Sequence, residues 1–281
     1  MTENYRSALG KRIVEQRYRA LLDTWPVEKT ELRVPTREGE TFVVASGPED
    51  APPVIALQGS GANAAMWLPS IAVLSARLRV YAVDVIGEPG FSAPSRPELG
   101  SEAYAWWLDD VLRELGLSEA AFLGVSLGGW FAIDYASRRP DAVTRLVLQT
   151  PSGIGRQKLG VLFKAIALRP FGDWGARKLL RGVAGVDVPA GDELVDLMLS
   201  VGKQFQYRMG TIPIFSDETL AGLKMPVFVE VGGKDSMIDT HATQRRVEAN
   251  APNALVRMLP EAGHLPLKPS RPLLKFLGGA P

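Results

Sequence analysis

The chain has 281 residues, 46% of them hydrophobic, and its 32 basic and 31 acidic side chains leave a net charge of +1. This composition can bury a core, which excludes a disordered or collagen-like chain, and the balanced charge does not favour a nucleic-acid partner. The absence of cysteine excludes disulfides, thiolate metal sites and a cysteine nucleophile, and it fits a reducing compartment.

The first 26 residues predict a leading helix. Val14, Tyr18, Leu21 and Trp25 recur at helical spacing and would form one apolar stripe. We expect this stripe to pack on its own domain, the alternatives being a membrane-surface or a dimerisation helix. Charged residues interrupt the segment, and no run of about 18 apolar residues occurs, so neither a signal peptide nor a membrane span is predicted. We therefore expect a cytoplasmic protein.

Short apolar runs then alternate with helical patterns. Segments 31–35 and 41–46 predict a hairpin around Glu38-Gly39. Further strands are predicted at 54–57, 80–85, 121–125, 143–148, 227–231 and 255–259, and helices follow Met66 and cover 102–115 and 127–138. This alternation predicts the α/β class, with a mostly parallel central sheet of about eight strands flanked by helices.

The alternation stops between residues 152 and 216. That stretch predicts helices at about 157–169, 173–183 and 192–209, with glycine and proline between them. We interpret residues 153–215 as a helical cap inserted into a core made of residues 1–152 and 216–281.

The strongest chemical signal is Gly124-Val125-Ser126-Leu127-Gly128, which lies between a predicted strand and a predicted helix. Small residues on both sides of a serine allow a tight turn that leaves the hydroxyl exposed, and the helix N-terminus favours developing negative charge. The pattern predicts Ser126 as a nucleophile.

A serine hydroxyl needs a base, and histidine suits neutral pH. His264 follows the last predicted strand, at the sheet edge where such sites form, whereas His241 is expected to be a solvated residue of a first helical turn. Asp235 follows the preceding strand and would orient the histidine, with Asp239 as the alternative. Asp84 also ends a strand, but we expect it to serve a structural role in hydrogen bonding.

A serine that attacks a carbonyl group forms a tetrahedral intermediate, and the oxyanion of this intermediate requires two hydrogen-bond donors. One is predicted to be the backbone N–H of Leu127, directly after the nucleophile. The other is expected from residues 58–63, the oxyanion loop, where Ser60 is our assignment and Gly61 the alternative.

Four motifs together identify a family resemblance. They are Gly124–Gly128, residues 84–92, Gly232–Asp235 and Gly263-His264. With them, the chain resembles the α/β-hydrolase superfamily over nearly its whole length. Within it, the chain looks like bacterial carboxylesterase-type members that have a leading helix and a Trp-Pro pair, here Trp25-Pro26. One departure is Gln58-Gly59, where the family usually has His-Gly; a glutamine side chain can still hydrogen-bond the loop.

Apolar side chains near these motifs predict a hydrophobic acyl or alcohol pocket. The predicted pocket residues are Gln58, Gly61, Met66, Trp67, Trp130, Phe163, Phe205 and Tyr207.

These observations favour a serine hydrolase that cleaves a small carboxylic ester through an acyl-enzyme, with no metal or cofactor and as a monomer or homodimer. The same catalytic triad of Ser126, His264 and Asp235 would also support carbon–carbon bond hydrolysis or lactone opening. A non-catalytic binding protein with this fold is a further alternative, which an incomplete triad would favour.

Overall fold

The computed structural model describes residues 4–158, 160–185, 191–265 and 269–279. The strands are β1 (Lys29–Thr36), β2 (Gly39–Ser46), β3 (Pro53–Leu57), β4 (Arg79–Val83), β5 (Ala120–Val125), β6 (Val143–Gln149), β7 (Val227–Gly232) and β8 (Ala254–Leu259). The α-helices are α1 (Ala8–Asp23), α2 (Ile71–Leu74), α3 (Ala103–Glu114), α4 (Leu127–Arg138), α5 (Gly160–Leu168), α6 (Gly172–Ala184), α7 (Glu193–Gln204), α8 (Asp217–Ala221), α9 (Thr240–Asn250) and α10 (Arg271–Leu277). Short 3-10 turns occupy Ala64–Trp67, Pro140–Ala142 and Arg169–Phe171.

The strands form one sheet of eight in the described part of the chain, in the order β1-β2-β4-β3-β5-β6-β7-β8. β1 and β2 form the predicted antiparallel hairpin, β2 runs antiparallel to β4, and the remaining neighbours are parallel. The predicted fold class is therefore confirmed. Because the strands from β3 onward run parallel, the loops after β3, β5, β6 and β7 meet at one edge of the sheet.

Helices cover both faces of the sheet. Alternate residues of each strand point to opposite faces, and each face carries its own buried apolar cluster. On β3, Ile55 and Leu57 belong to one buried cluster with Trp107 of α3, whereas Val54 and Ala56 belong to a second cluster. The second cluster includes side chains of α1 and α10. Burial on both faces explains why the parallel strands are continuous apolar runs in the sequence.

The leading helix packs on this domain, as expected. The first three residues of its predicted stripe are buried, and the Tyr18 hydroxyl donates to Asp84 Oδ1 at 2.9 Å. The helix ends at Asp23, so the prediction that Trp25 continues the stripe is wrong. Trp25 is nevertheless buried beyond the helix end, where its indole N–H donates to the Ser46 hydroxyl at 3.0 Å.

Helices α5, α6 and α7 lie between β6 and β7, where the helical insertion was predicted. The third predicted helix, 192–209, is too long, because α7 ends at Gln204. Phe205 is extended instead and pairs through its backbone with Tyr5, and the two rings stand 5.2 Å apart. Backbone pairing with the N-terminal segment therefore ends this helix. The boundaries 153–215 for a separate cap stay a prediction.

Candidate active site

Ser126 occupies a strained turn between β5 and α4. Its backbone has φ 53° and ψ −113°, a conformation that a residue with a side chain rarely adopts. A Cβ at Gly128 would collide with the carbonyl oxygen of Leu57, and one at Gly124 would lie 2.5 Å from the Gly128 carbonyl oxygen. Both glycines are thus required for the close approach of strand and helix, and strain of this kind concentrates at functional sites.

The three residues of the predicted triad meet in one chain of hydrogen bonds. His264 Nε2 lies 2.9 Å from Ser126 Oγ, and His264 Nδ1 lies 2.7 Å from Asp235 Oδ2. Asp235 and His264 are 3% and 2% exposed, so bulk water scarcely reaches the bond between them. The geometry allows the histidine to take the serine proton through one ring nitrogen while the other is held by a carboxylate.

The second oxygen of Asp235 fixes the carboxylate in place. Oδ1 accepts the backbone N–H groups of Met237 at 2.7 Å and Ile238 at 2.9 Å. Burial by itself raises the pKa of Asp235, but the hydrogen bond and charge of His264, together with these two N–H groups, lower it below its ordinary value. Asp235 therefore remains ionised at neutral pH and can stabilise a positively charged imidazole.

The backbone of His264 is held from two sides. The Thr150 hydroxyl, just past β6, donates to the His264 carbonyl oxygen at 2.8 Å. The His264 N–H donates to the carbonyl oxygen of Val183 in α6 at 2.9 Å. Thr150 is buried and has φ 43°, so a second strained residue supports the site. Local sequence patterns could not select Thr150, because its partner His264 lies 114 residues away in the chain.

The alternative triad residues lie elsewhere. His241 is exposed in the first turn of α9, as expected. Asp239 caps that helix by accepting the Ala242 N–H at 3.0 Å. Asp84 has the structural role that was expected, because its buried carboxylate accepts from Tyr18, Ala64 and Phe91.

The two predicted oxyanion donors face the same space as Ser126. Ser60 and Leu127 line the cavity that contains Ser126 and His264. Within the described part of the chain, neither of their backbone N–H groups donates to a protein acceptor, which leaves both free for a ligand. The N–H of Gly61 is already occupied, because it donates to Glu88 Oε2 at 2.7 Å. The geometry therefore favours Ser60 over Gly61.

A cavity of about 800 Å³ opens above Ser126. Its far wall comes from the inserted segment and includes Val161, Ala165, Tyr207, Met209, Ile212 and Pro213. Met237 and Ile238 close one side, and Lys158, Arg208 and Glu98 bring charged groups to the wall. Its lining is largely apolar, which is typical of a site for a small organic ligand.

Of the predicted pocket residues, only Tyr207 lines this cavity among the described residues. Gln58 is buried behind it, and in the amide orientation that satisfies its neighbours its side chain bonds the Val83 carbonyl and the Val85 N–H. Gln58 thus links the ends of β3 and β4 instead of bordering the pocket. Met66 and Trp67 lie at a separate small crevice, because the 3-10 turn that carries them packs into the buried cluster that includes α1.

The remaining predicted pocket residues also lie outside the cavity. Trp130 is buried behind the wall, where its indole N–H donates to the Pro213 carbonyl oxygen at 2.9 Å. Phe163 is 66% exposed on the outer surface of α5, and Phe205 is fully buried among aromatic neighbours. Gly61 packs directly against the Tyr207 ring. Aromatic composition alone could not separate core, surface and cavity positions here.

No group of three or more histidine or acidic side chains that could hold a metal occurs within the described ranges. Likewise, none of the helices in those ranges is long and apolar enough to cross a membrane.

Comparisons with known proteins agree with this fold. A family model for the alpha/beta hydrolase fold matches residues 52–193. Carboxylesterase YbfK of Bacillus subtilis is 31% identical over 258 residues, covering 89% of this chain and 86% of that protein. The solved structure of naproxen esterase (carboxylesterase NP) from Bacillus subtilis superposes with a TM-score of 0.83 at 27% identity, covering 99% of this chain and 96% of that one. The solved structure of carboxylesterase CesB (YbfK) gives a TM-score of 0.81 at 29% identity, covering 97% and 94%.

The chain belongs to the α/β hydrolase family. Within that family it is similar to bacterial carboxylesterases along most of its length.

Proposed function

We propose that this chain is a serine carboxylesterase that hydrolyses a small carboxylic ester through an acyl-enzyme, with Ser126, His264 and Asp235 as its triad. The observation that carries the proposal is the unbroken hydrogen-bonded chain from Asp235 through His264 to Ser126 at the floor of a cavity. The similarity to named carboxylesterases supports ester hydrolysis.

Acylation begins when Ser126 Oγ attacks the ester carbonyl carbon and His264 Nε2 takes its proton. Asp235 holds the imidazole in the required tautomer and stabilises the imidazolium. The carbonyl oxygen becomes an oxyanion, which accepts hydrogen bonds from the Ser60 and Leu127 N–H groups. The N-terminus of α4 lies at the same place and contributes its partial positive charge. His264 then protonates the leaving alcohol.

Deacylation repeats these steps with water as the nucleophile. His264 removes a proton from the water, the hydroxide adds to the acyl carbon, and the same two N–H groups hold the second oxyanion. Collapse of this intermediate returns the proton to Ser126 and releases the acid. Every proton and charge in the cycle is accommodated by the side chains and amides of this site.

The cavity supports a substrate with apolar groups of small to medium size. Its volume of about 800 Å³ exceeds the needs of an acetyl group, and apolar side chains form most of its lining. Carbon–carbon hydrolysis and lactone opening would use the same triad, but the carboxylesterase relatives favour simple esters. A non-catalytic role is disfavoured because the triad residues are all present and in hydrogen-bond contact. The proposal includes a cytoplasmic location, a monomeric or homodimeric state and a cap over residues 153–215.

The test is a panel of p-nitrophenyl acetate, butyrate, hexanoate and octanoate with the wild type and Ser126→Ala. We expect wild-type turnover and a loss of about 10⁴- to 10⁶-fold in kcat for the variant, since removal of a triad serine leaves only binding and oxyanion stabilisation. Ser137→Ala, in the same helix that Ser126 precedes but outside the cavity lining, is the matched control and should retain wild-type rates. Full turnover by Ser126→Ala would contradict the proposal.

A further inference from the structure

We infer that Glu88 is a positioning residue that holds the oxyanion loop so that the Ser60 N–H faces the reacting carbonyl. The inference rests on the proposed function, since it assigns a task in the oxyanion hole. It concerns a residue outside the triad and outside the cavity lining.

Glu88 reaches the oxyanion loop from the turn that follows β4. Its side chain is buried, and Oε2 accepts the Gly61 N–H at 2.7 Å, while the Ser60 hydroxyl donates to the same oxygen at 3.4 Å. The Gly61 N–H belongs to the peptide unit that joins Ser60 to Gly61. Fixing that peptide plane restrains the ψ angle of Ser60 and with it the direction of the Ser60 N–H, the free donor that lines the cavity with Ser126.

The loop is held at further points, which makes Glu88 one part of a clamp. Asp84 accepts the Ala64 N–H at 2.8 Å, just past the end of the loop. Gly61 itself has φ +72°, and a side chain there would collide with the ring of Tyr207. The loop thus lies between two buried carboxylates on one side and the inserted segment on the other. Glu88 supplies the hydrogen bond closest to Ser60.

Glu88 acts on the loop through the position of its accepting oxygen, which lies 2.7 Å from the Gly61 nitrogen. Burial raises the pKa of Glu88, and the Gly61 hydrogen bond and the charges of Arg96 and Arg208 only partly oppose that effect. A negative charge behind the oxyanion hole would disfavour the charge that develops in the transition state. The position of the accepting oxygen is therefore the property that matters.

Two variants separate the position of the accepting oxygen from the charge of the side chain. Glu88→Gln keeps the length of the side chain and an accepting oxygen but removes the charge. Glu88→Asp keeps the charge but withdraws the oxygen from Gly61 by about one carbon–carbon bond, roughly 1.5 Å, which breaks a hydrogen bond of ordinary length. Asp110→Asn is the matched control for loss of a buried carboxylate, because Asp110 is buried but does not line the cavity.

The measurements are kcat and KM for p-nitrophenyl butyrate, inhibition by an aryl trifluoromethyl ketone that forms an oxyanion on Ser126, and a thermal melt of each variant. We expect Glu88→Asp to lose about 10- to 100-fold in kcat, with KM within threefold, because a displaced donor acts mainly in the transition state. Its affinity for the ketone should fall in parallel. Glu88→Gln should stay within about threefold of the wild type in both readouts, and Asp110→Asn should change the melting temperature alone.

Three results would overturn the inference. They are wild-type kinetics in Glu88→Asp, a loss in Glu88→Gln that equals the loss in Glu88→Asp, or a fall in kcat without a fall in affinity for the ketone. If Glu88→Asp melts below the assay temperature, hydrogen exchange of residues 58–63 in the folded protein at lower temperature replaces kinetics, and unchanged exchange would overturn it. A wild type that neither hydrolyses the ester nor binds the ketone would remove the proposed function itself, which is a different outcome from a silent Glu88→Asp.

Discussion

At the scale of single residues, the site depends on strained backbone conformations and on side chains fixed by hydrogen bonds. Ser126 has a strained backbone between two glycines, and Thr150 is strained where its hydroxyl supports His264. Asp235 uses both of its carboxylate oxygens, one toward His264 and the other toward two backbone N–H groups. Such preorganisation means that small changes in hydrogen-bond character should have large kinetic effects.

Asp235→Asn tests the kinetic effect of changing the hydrogen-bond character of the Asp235 carboxylate. The amide retains the shape of the side chain but favours the wrong imidazole tautomer, so we expect kcat to fall about 10⁴-fold. The variant should also lose stability at neutral pH. Because the pKa of Asp235 is lowered in the folded state, its stabilisation is present above the unfolded pKa of about 3.9 and is lost as pH falls through the lower folded pKa. Steady-state kinetics and urea unfolding at pH 3 and pH 7 measure both effects.

Asp239→Asn is the matched control, four residues further along the chain. Asparagine is as good a helix N-cap as aspartate, so α9 should be preserved and kcat should stay near the wild-type value. If Asp239→Asn lost activity as severely as Asp235→Asn, the assignment of the triad acid would be wrong.

At the scale of elements, the inserted helices are joined to the catalytic loops. The end of α6 packs against residues 260–264, the histidine loop, and the His264 N–H donates to the Val183 carbonyl oxygen of that helix. Ser236, beside the triad acid, donates its hydroxyl to the Gly182 carbonyl oxygen at 3.1 Å. The position of α6 and the alignment of the proposed triad are therefore parts of one packing arrangement.

Gly263→Ala tests this junction. A methyl group at Gly263 would lie 2.6 Å from the Ala184 carbonyl oxygen, so the histidine loop and the end of α6 would have to separate. We expect kcat for p-nitrophenyl butyrate to fall about tenfold or more, as misplacement of a catalytic group by a fraction of an ångström does. Gly182→Ala is the matched control on the same helix, where a methyl group meets open space. It should leave kcat unchanged and stabilise α6 slightly, by up to about 1 kcal/mol; equal activity in both variants would refute the coupling.

At the scale of the whole molecule, the segment before α1 forms backbone hydrogen bonds with the inserted segment at the end of α7. The Arg6 N–H donates to the Gln204 carbonyl oxygen at 2.8 Å, and the Gln206 N–H donates to that of Asn4 at 2.9 Å. The side-chain amide of Asn4 also contacts the loop after β4, where it donates to the Pro94 carbonyl oxygen at 2.8 Å. The leading segment, the inserted segment and the loop that carries Glu88 are thus connected, and Tyr207, next to this junction, forms part of the cavity wall.

The fold and the triad contacts could be predicted from the sequence because their signals are local. Apolar runs alternate with helical patterns, and Ser126, Asp235 and His264 each follow a strand within a few residues. The cavity wall could not be predicted, since Trp130 and Phe205 carry the same aromatic signal whether they face the core or the ligand. Glu88 and Thr150 were missed because their partners are 27 and 114 residues away in the chain. The end of α7 depends in the same way on pairing with Tyr5.

The proposed function depends on Ser126 being a nucleophile that His264 and Asp235 activate. The most direct measurement is intact-protein mass spectrometry and peptide mapping after reaction with diethyl p-nitrophenyl phosphate, which phosphorylates activated serines irreversibly. We expect one diethylphosphoryl group per chain, located on Ser126, with esterase activity lost in proportion and no adduct on Ser126→Ala. An adduct on another residue, or an unmodified chain that still hydrolyses p-nitrophenyl butyrate, would contradict it.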